Sequence, residues 1–501
     1  MPLIRVIQLL VVFAAVAACS DGSDKRPAPP VQPPEPEFLP VSNPEVSLPP
    51  DEGSLSLLAQ SFDLADIGYE DVEYFFSGTA TAFTNLNELG ADGLWQVEPG
   101  ETADYQTRIV VHRPLDAAEF SGTVVVEWLN VTSGFDIPPS WGAGHVEMYR
   151  SGHAWVGVSA QIVGIEGSEG GLAPLHLKAA NPARYGALSH PGDSFSYDIF
   201  SQVSEMLRNP QGIDVLDGLT VEYLLAVGES QSAGRLVTYI NAVAPLYRPY
   251  DGYIVHSRGN GSSPLAQDPL TRIDTPESPR IREDINVPVM TFQTETDVTG
   301  LGYAPARQED SENFLLWEVA GTAHADFYTI ISGRADASGE PRFAAVVEVN
   351  EVPGFIQCGL PVNSGPMHYV FKTAVREMDE WIRGGNAPPA APRLDLNDDG
   401  SDYIKDANGN STGGIRTPFS DAPSAALAGT GNTGDGFCRL FGTTALFSAE
   451  QMASLYVNEA GYAEAVAEAT DAAVAAGFIL EDDAQDIKDW APAQWRAQVG
   501  E

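Results

Sequence analysis

Positive charge is what this sequence lacks most. Its 501 residues carry 27 Lys and Arg against 69 Asp and Glu, a formal net charge of −42. That balance leaves no basic patch for nucleic acid or for an anionic membrane surface. It suits work in salty water, where screening softens self-repulsion. Cysteine is scarce as well: Cys19, Cys358 and Cys438 are the three in the chain, too few nearby ligands for a zinc motif. No P-loop and no dinucleotide fingerprint is present, so no cofactor is expected. No repeat of 20–50 residues is visible. Beyond the first twenty residues no run is long and apolar enough to cross a bilayer.

Met1–Ala18 has one early charge, Arg5, then an apolar run from Val6. It is a short secretory signal, below the length of a membrane span. Its end, Val16-Ala17-Ala18-Cys19, resembles the lipobox of bacterial lipoproteins, in which the Cys is acylated and becomes the mature N-terminus. Ser20 would then suit the outer membrane. The competing reading is a plain cleavable signal that contains a Cys. A Pro-rich segment follows, expected to be an extended tether over residues 20–52. About 450 residues remain, read as one α/β domain over 53–501. Cys358 and Cys438 are then left as a pair, and an oxidising compartment favours a disulfide between them over two free thiols.

Apolar runs and helical patterns alternate along that domain. Strands are expected at 105–114, 122–130, 154–160, 223–227, 250–256, 287–294 and 314–319. Helices are expected at 140–151, 194–207, from 233 and at 367–384. Near-continuous apolar strands between amphipathic helices predict a mostly parallel sheet covered on both faces. Two insertions interrupt the alternation, at about 161–193 and 258–286. Loops at strand C-termini surround the ligand crevice of such sheets, so these two are where a lid or specificity wall is expected. An extension over about 395–501 ends in a helical stretch, 449–478, expected to pack on the domain.

The chemistry centres on Gly228-Glu229-Ser230-Gln231-Ser232, between an apolar strand and a helix. A sharp strand-to-helix turn with a central Ser is the context of a nucleophile elbow. The turn demands small residues two before and two after the Ser, which Gly228 and Ser232 provide. The bland alternative is an ordinary turn with a capping Ser. An activated Ser needs a His to take its proton and a carboxylate to orient that His. Asp297 lies just past the strand 287–294, and His324 lies in a Gly/Ala-flanked loop past the strand 314–319. Ser230, Asp297 and His324 are therefore expected at one sheet edge, with Glu295 as the competing acid. His112 and His256, in or at the end of strands, read as structural histidines. The oxyanion donors expected are the Gln231 N–H, at a helix N-terminus, and an N–H of Asn130 or Val131 after the strand 122–130.

GESQSAGRL at 228–236, VVVEWLNVTSGFD at 124–136, AWVGVSAQIVG at 154–164, TETD at 294–297 and GTAHAD at 321–326 together resemble the bacterial "alpha/beta hydrolase domain" family. CGLPVNSGP at 358–366, GGIRTP at 413–418 and FCRLFG at 437–442 resemble it as well. The family's nucleophile motif looks like G-x-S-Q-S, which makes Ser232 a family trait. The resemblance implies an α/β-hydrolase fold with a Ser-acid-His triad acting on esters, small or polymeric, and leaves the substrate open. The expected function is therefore a serine ester hydrolase, exported to the periplasm or cell surface and touching membrane only through a lipid on Cys19. The alternative is a binding lipoprotein that keeps the fold without catalysis. Asp395–Gly400 matches the start of a calcium loop, but Asp402 and Asp406 depart from the pattern at the eighth and twelfth places. An acidic surface turn is the expectation there, with no metal.

Overall fold

Every residue of Thr123–Trp128 is buried. A strand with no exposed position needs cover on both faces. The computed structural model, which describes residues 38–50, 53–171, 173–352, 356–434 and 436–500, supplies it. Val124 and Val126 enter one core with Phe200, Val203, Leu236 and Ile240. Val125 enters the opposite core with Trp141, Met148, Phe371 and Val375. Successive side chains of a strand point to opposite faces, so one run of valines feeds both layers.

The strands are β1 (Glu45–Ser47), β2 (Tyr69–Asn85), β3 (Val97–Pro114), β4 (Thr123–Trp128), β5 (Ala154–Val158), β6 (Tyr223–Glu229), β7 (Gly252–His256), β8 (Val289–Thr294) and β9 (Phe314–Val319). They form one nine-stranded sheet in the order β1-β2-β3-β5-β4-β6-β7-β8-β9. The pairs β1-β2, β2-β3 and β3-β5 are antiparallel. From β5 to β9 every pair is parallel. The mostly parallel, doubly covered sheet expected from the sequence is therefore present. Four helices matter for the site: α1 (Pro139–Arg150), α2 (Ser196–Arg208), α3 (Gln231–Thr238) and α4 (Met367–Ile382). The first is fixed by Glu127, the one acid in β4. Its carboxylate accepts the N–H groups of Ser140 and Trp141 and the Trp155 indole N–H at 2.8–2.9 Å. The two backbone N–H groups are orphan donors of the first helical turn, otherwise unsatisfied in a dry interior. Burial pushes this carboxyl up to about 8 against the three donors.

Two features depart from the sequence expectations. The first is a long hairpin of β2 with β3, in which β3 starts at Val97 rather than 105 and β2 has no counterpart. Residues 98–102 are polar and exposed. They pair as a two-sided ribbon, so alternation of apolar residues does not mark them. The second is the tether. Glu45–Ser47 lies inside the span 20–52, yet it pairs with Phe75–Ser77 as the sheet edge, and Val46 is buried. The remainder of the expected tether to residue 37, and the expected signal with Cys19, lie outside the described residues. Among the described residues no helix is long and apolar enough to cross a membrane.

The C-terminal extension packs on the domain. Its helices Ala449–Tyr456, Glu459–Ala475 and Glu481–Val499 bury Met452, Val466, Ile487 and Trp495 against Tyr369 of α4. Cys358 and Cys438 form a disulfide across 80 residues of sequence. The expected acidic turn at 395–406 is a pair of tight turns. Asn397 Oδ1 accepts the Ser401 N–H at 2.9 Å, and Asp406 pairs with Arg416 at 2.9 Å. Among the described residues no group of three or more His, Cys, Asp or Glu is placed to hold a metal ion.

Candidate active site

Gly228 explains why β6 can turn directly into α3. A Cβ there would stand 3.1 Å from the Ser232 backbone and from a Leu236 methyl, tighter than an ordinary contact, so a glycine lets strand and helix close without either giving way. Ser232 is fully buried, and its hydroxyl donates to Leu129 O at 3.2 Å. Between them Ser230 sits at φ 59°, ψ −116°, a conformation costly for a residue with a side chain. The Ser230 N–H, donating to His256 O at 2.9 Å, ties the turn to β7. Its Oγ projects past the sheet edge, half-buried.

The loops after β8 and β9 meet this hydroxyl. His324 Nε2 lies 2.8 Å from Ser230 Oγ, and His324 Nδ1 lies 2.6 Å from Asp297 Oδ1. The other Asp297 oxygen accepts the Thr294 N–H at 2.6 Å and the Thr294 hydroxyl at 2.8 Å. Glu295, the competing acid, turns away from the imidazole. Its carboxylate accepts the Gly321 N–H at 2.6 Å and the Gly429 N–H at 2.8 Å. The Tyr403 hydroxyl, from the acidic turns, donates to the Glu295 carbonyl. Glu295 thus braces the loop that presents His324.

Glu229 had no role in the sequence reading. Its Oε1 lies 3.0 Å from His324 Nε2, and Asn130 Nδ2 donates to its Oε2 at 3.1 Å. The imidazole therefore stands between two buried carboxylates. Burial pulls His324 down, but Glu229 and Asp297 outweigh it and hold the imidazole up at about 9. Burial pushes the Glu229 carboxyl up to about 7, with His324 opposing. The available signal was a carboxylate at a buried strand end, one residue from the nucleophile and with no basic neighbour in sequence.

The two expected positions for a second oxyanion donor differ. The Asn130 N–H donates to Ile137 O at 2.9 Å and is taken, because the loop folds back on itself. The Val131 N–H has no acceptor among the described residues. Gln231 opens α3, so its N–H is one of the helix's orphan donors. His256 is buried, stacked on Phe371 at 4.1 Å and pushed down to about 3 by burial and by His324. His112, buried beside Trp141 and Trp155, is pushed down to about 3 by burial.

A cavity of about 320 Å³ opens over Ser230. It is lined by Phe135, Ile137 and Pro138 from the loop between β4 and α1, by Pro139 of α1, and by Phe437, Leu440 and Phe441, next in sequence to the disulfide's Cys438. The insertions 161–193 and 258–286 contribute no lining residue, contrary to the expected lid. The first closes on itself, with Ile165, Leu177 and Tyr185 packed against Phe75.

A family model described as "Alpha/beta hydrolase domain" matches residues 41–489. No curated protein matches the sequence. Among solved structures, an esterase of Rhizomucor miehei aligns at 12% identity and TM-score 0.29, covering 62% of this chain and 85% of its own. Acetyl xylan esterase 1 of Thermoanaerobacterium sp. aligns at 10% identity and TM-score 0.28, covering 55% and 80%. A glucuronoyl esterase of Solibacter usitatus aligns at 11% identity and TM-score 0.26, covering 58% and 83%.

Proposed function

The chain belongs to the alpha/beta hydrolase domain family, and from that premise we propose that it is a serine hydrolase of carboxylic esters. The observation that carries the reading is the unbroken run Ser230 Oγ–His324 Nε2, His324 Nδ1–Asp297 Oδ1, at the floor of an apolar cavity. In this mechanism His324 takes the proton as Ser230 Oγ attacks the ester carbonyl. The oxyanion is received by the Gln231 and Val131 N–H groups. His324 then protonates the departing alkoxide, and a water molecule repeats the sequence on the acyl-enzyme. The test is labelling with a fluorophosphonate probe. The wild type is expected to label, and Ser230→Ala and His324→Ala are not; a folded wild type that never labels rejects the reading. The disulfide supports an oxidising compartment, in line with export.

The second carboxylate sets a pH dependence. An imidazole held up at about 9 is protonated below that value and cannot accept the Ser230 proton. Activity is therefore lost as pH falls through about 9. Glu229→Gln removes one of the two anions beside the ring, leaving Asp297 in favour of the cation and Arg439 against it. The activity limb is then expected to move to lower pH by about one unit or more. The pH profile of kcat/KM on a short-chain ester measures it, and an unmoved limb removes Glu229 from the chemistry.

A further inference from the structure

We propose that the cavity takes esters bearing a second, anionic group, a carboxylate, and that Arg334 is the residue that receives it. This rests on the hydrolase reading and adds a substrate class to it. The charged side chains lining the cavity are Glu229 and Arg334, besides the two histidines. Glu229 is engaged by His324 and Asn130. Arg334 is not engaged. In a chain of net charge −42, guanidinium groups find carboxylates readily: Arg108 holds Glu73 and Asp136, and Arg307 holds Glu318. Among the described residues the Arg334 side chain has no carboxylate within 4.0 Å, and its Nε is buried with no hydrogen-bond partner. A buried N–H left unpaired is costly, which marks the place of a missing acceptor. The residue is held there by its carbonyl, which accepts the Ser61 N–H at 2.7 Å and the Ser61 hydroxyl at 2.9 Å.

Leu58, Ala59, Pro139 and Ile330 line the same cavity as Arg334 and give it apolar walls. A ligand fitting it has a carbon chain and ends in a charge. The guanidinium fork matches a carboxylate in two parallel bonds. Arg439 strengthens the case. It is exposed, lies in sequence between the lining residues Phe437 and Leu440, has no ion pair among the described residues, and its charge reaches His324. Two cations without carboxylate partners, Arg334 and Arg439, thus lie in or beside the cavity of a strongly negative protein, where they favour an anionic ligand.

The probes are monoethyl adipate and its primary amide, equal in shape but differing in charge, with acid release followed by pH-stat. The wild type is expected to favour the half-acid by about tenfold or more in kcat/KM. In Arg334→Met that ratio is expected to collapse to about one. A wild-type ratio near one, or a ratio unchanged in Arg334→Met, overturns the proposal. A binding arm separates it from the hydrolase reading. Ser230→Ala, which cannot turn over, is titrated calorimetrically with both compounds, then again with Arg334→Met added. Tighter binding of the half-acid that disappears with Arg334→Met supports the proposal even if neither ester is hydrolysed, while the hydrolase reading is judged separately by the fluorophosphonate label. Equal binding of the two compounds to Ser230→Ala overturns it.

Discussion

Ser230→Ala is expected to lower kcat on a short-chain aryl ester by about 10⁴–10⁶-fold, and His324→Ala by a similar factor. Both act on one event, the transfer of the Ser230 proton to Nε2 across 2.8 Å. Groups that act as a unit do not lose additively, so the double variant should be no slower than the worse single one. What rate remains comes from the Gln231 and Val131 N–H groups and from binding in the cavity. Stability should separate from rate. Ser230 Oγ contributes nothing to the turn itself, which is held by the Ser230 N–H to His256 O and by the close approach at Gly228. The melting temperature of Ser230→Ala should therefore match the wild type. Initial rates and thermal denaturation on the same preparations check both statements. A Ser230→Ala protein retaining about a tenth of the wild-type rate would dismiss Ser230 as nucleophile.

Asp297→Asn is expected to lower kcat by about 10⁴-fold while leaving the protein folded. Asp297 Oδ1 accepts the hydrogen bond of His324 Nδ1–H at 2.6 Å and so fixes the tautomer that leaves Nε2 free to accept a proton. An amide offering its NH₂ to Nδ1 selects the opposite tautomer, with Nε2 already protonated. The Thr294 N–H and hydroxyl still find an oxygen on the asparagine. Glu295→Gln should behave in the reverse way. Both Glu295 oxygens accept a backbone N–H, and an amide can serve only one of Gly321 and Gly429. A buried donor left facing another donor costs about 1–3 kcal/mol. The expected signature is a lower melting temperature, with a rate loss no larger than a shifted His324 loop produces. The opposite pattern would assign the acid role to Glu295.

These pairs show what was legible in the sequence. The doubly covered sheet was, because β4 to β9 are short apolar runs, a pattern that survives without knowledge of neighbours. Ser230, Asp297 and His324 could be nominated because each follows such a run. Asp297 and Glu295 could not be separated, since both sit in one turn; what divides them is Gly429, 134 residues away, which claims a Glu295 oxygen. The Asn130 N–H was lost to Ile137 by a local fold-back that its polar sequence does not encode. The cavity walls were not legible at all. Gly-rich loops at 161–193 looked like a lid, yet the walls come from Leu58, the loop after β4 and the segment 437–441. The strand β1 was hidden because a Pro-rich surrounding reads as linker, and a three-residue edge strand has too few positions to show a period.

The lining segment 437–441 has a consequence for biosynthesis. A ribosome releases β6 and α3 long before Phe437, Leu440 and Phe441, and the Cys358–Cys438 bond closes only after both cysteines have met an oxidant. The serine turn can therefore form on a nascent chain well before the cavity above it is complete. Ser230 meets its base only after β8 and β9 have delivered Asp297 and His324, and the cavity above it gains its last lining residues only with 437–441. Chain order thus acts as a timer, holding back the finished pocket until the polypeptide is nearly whole.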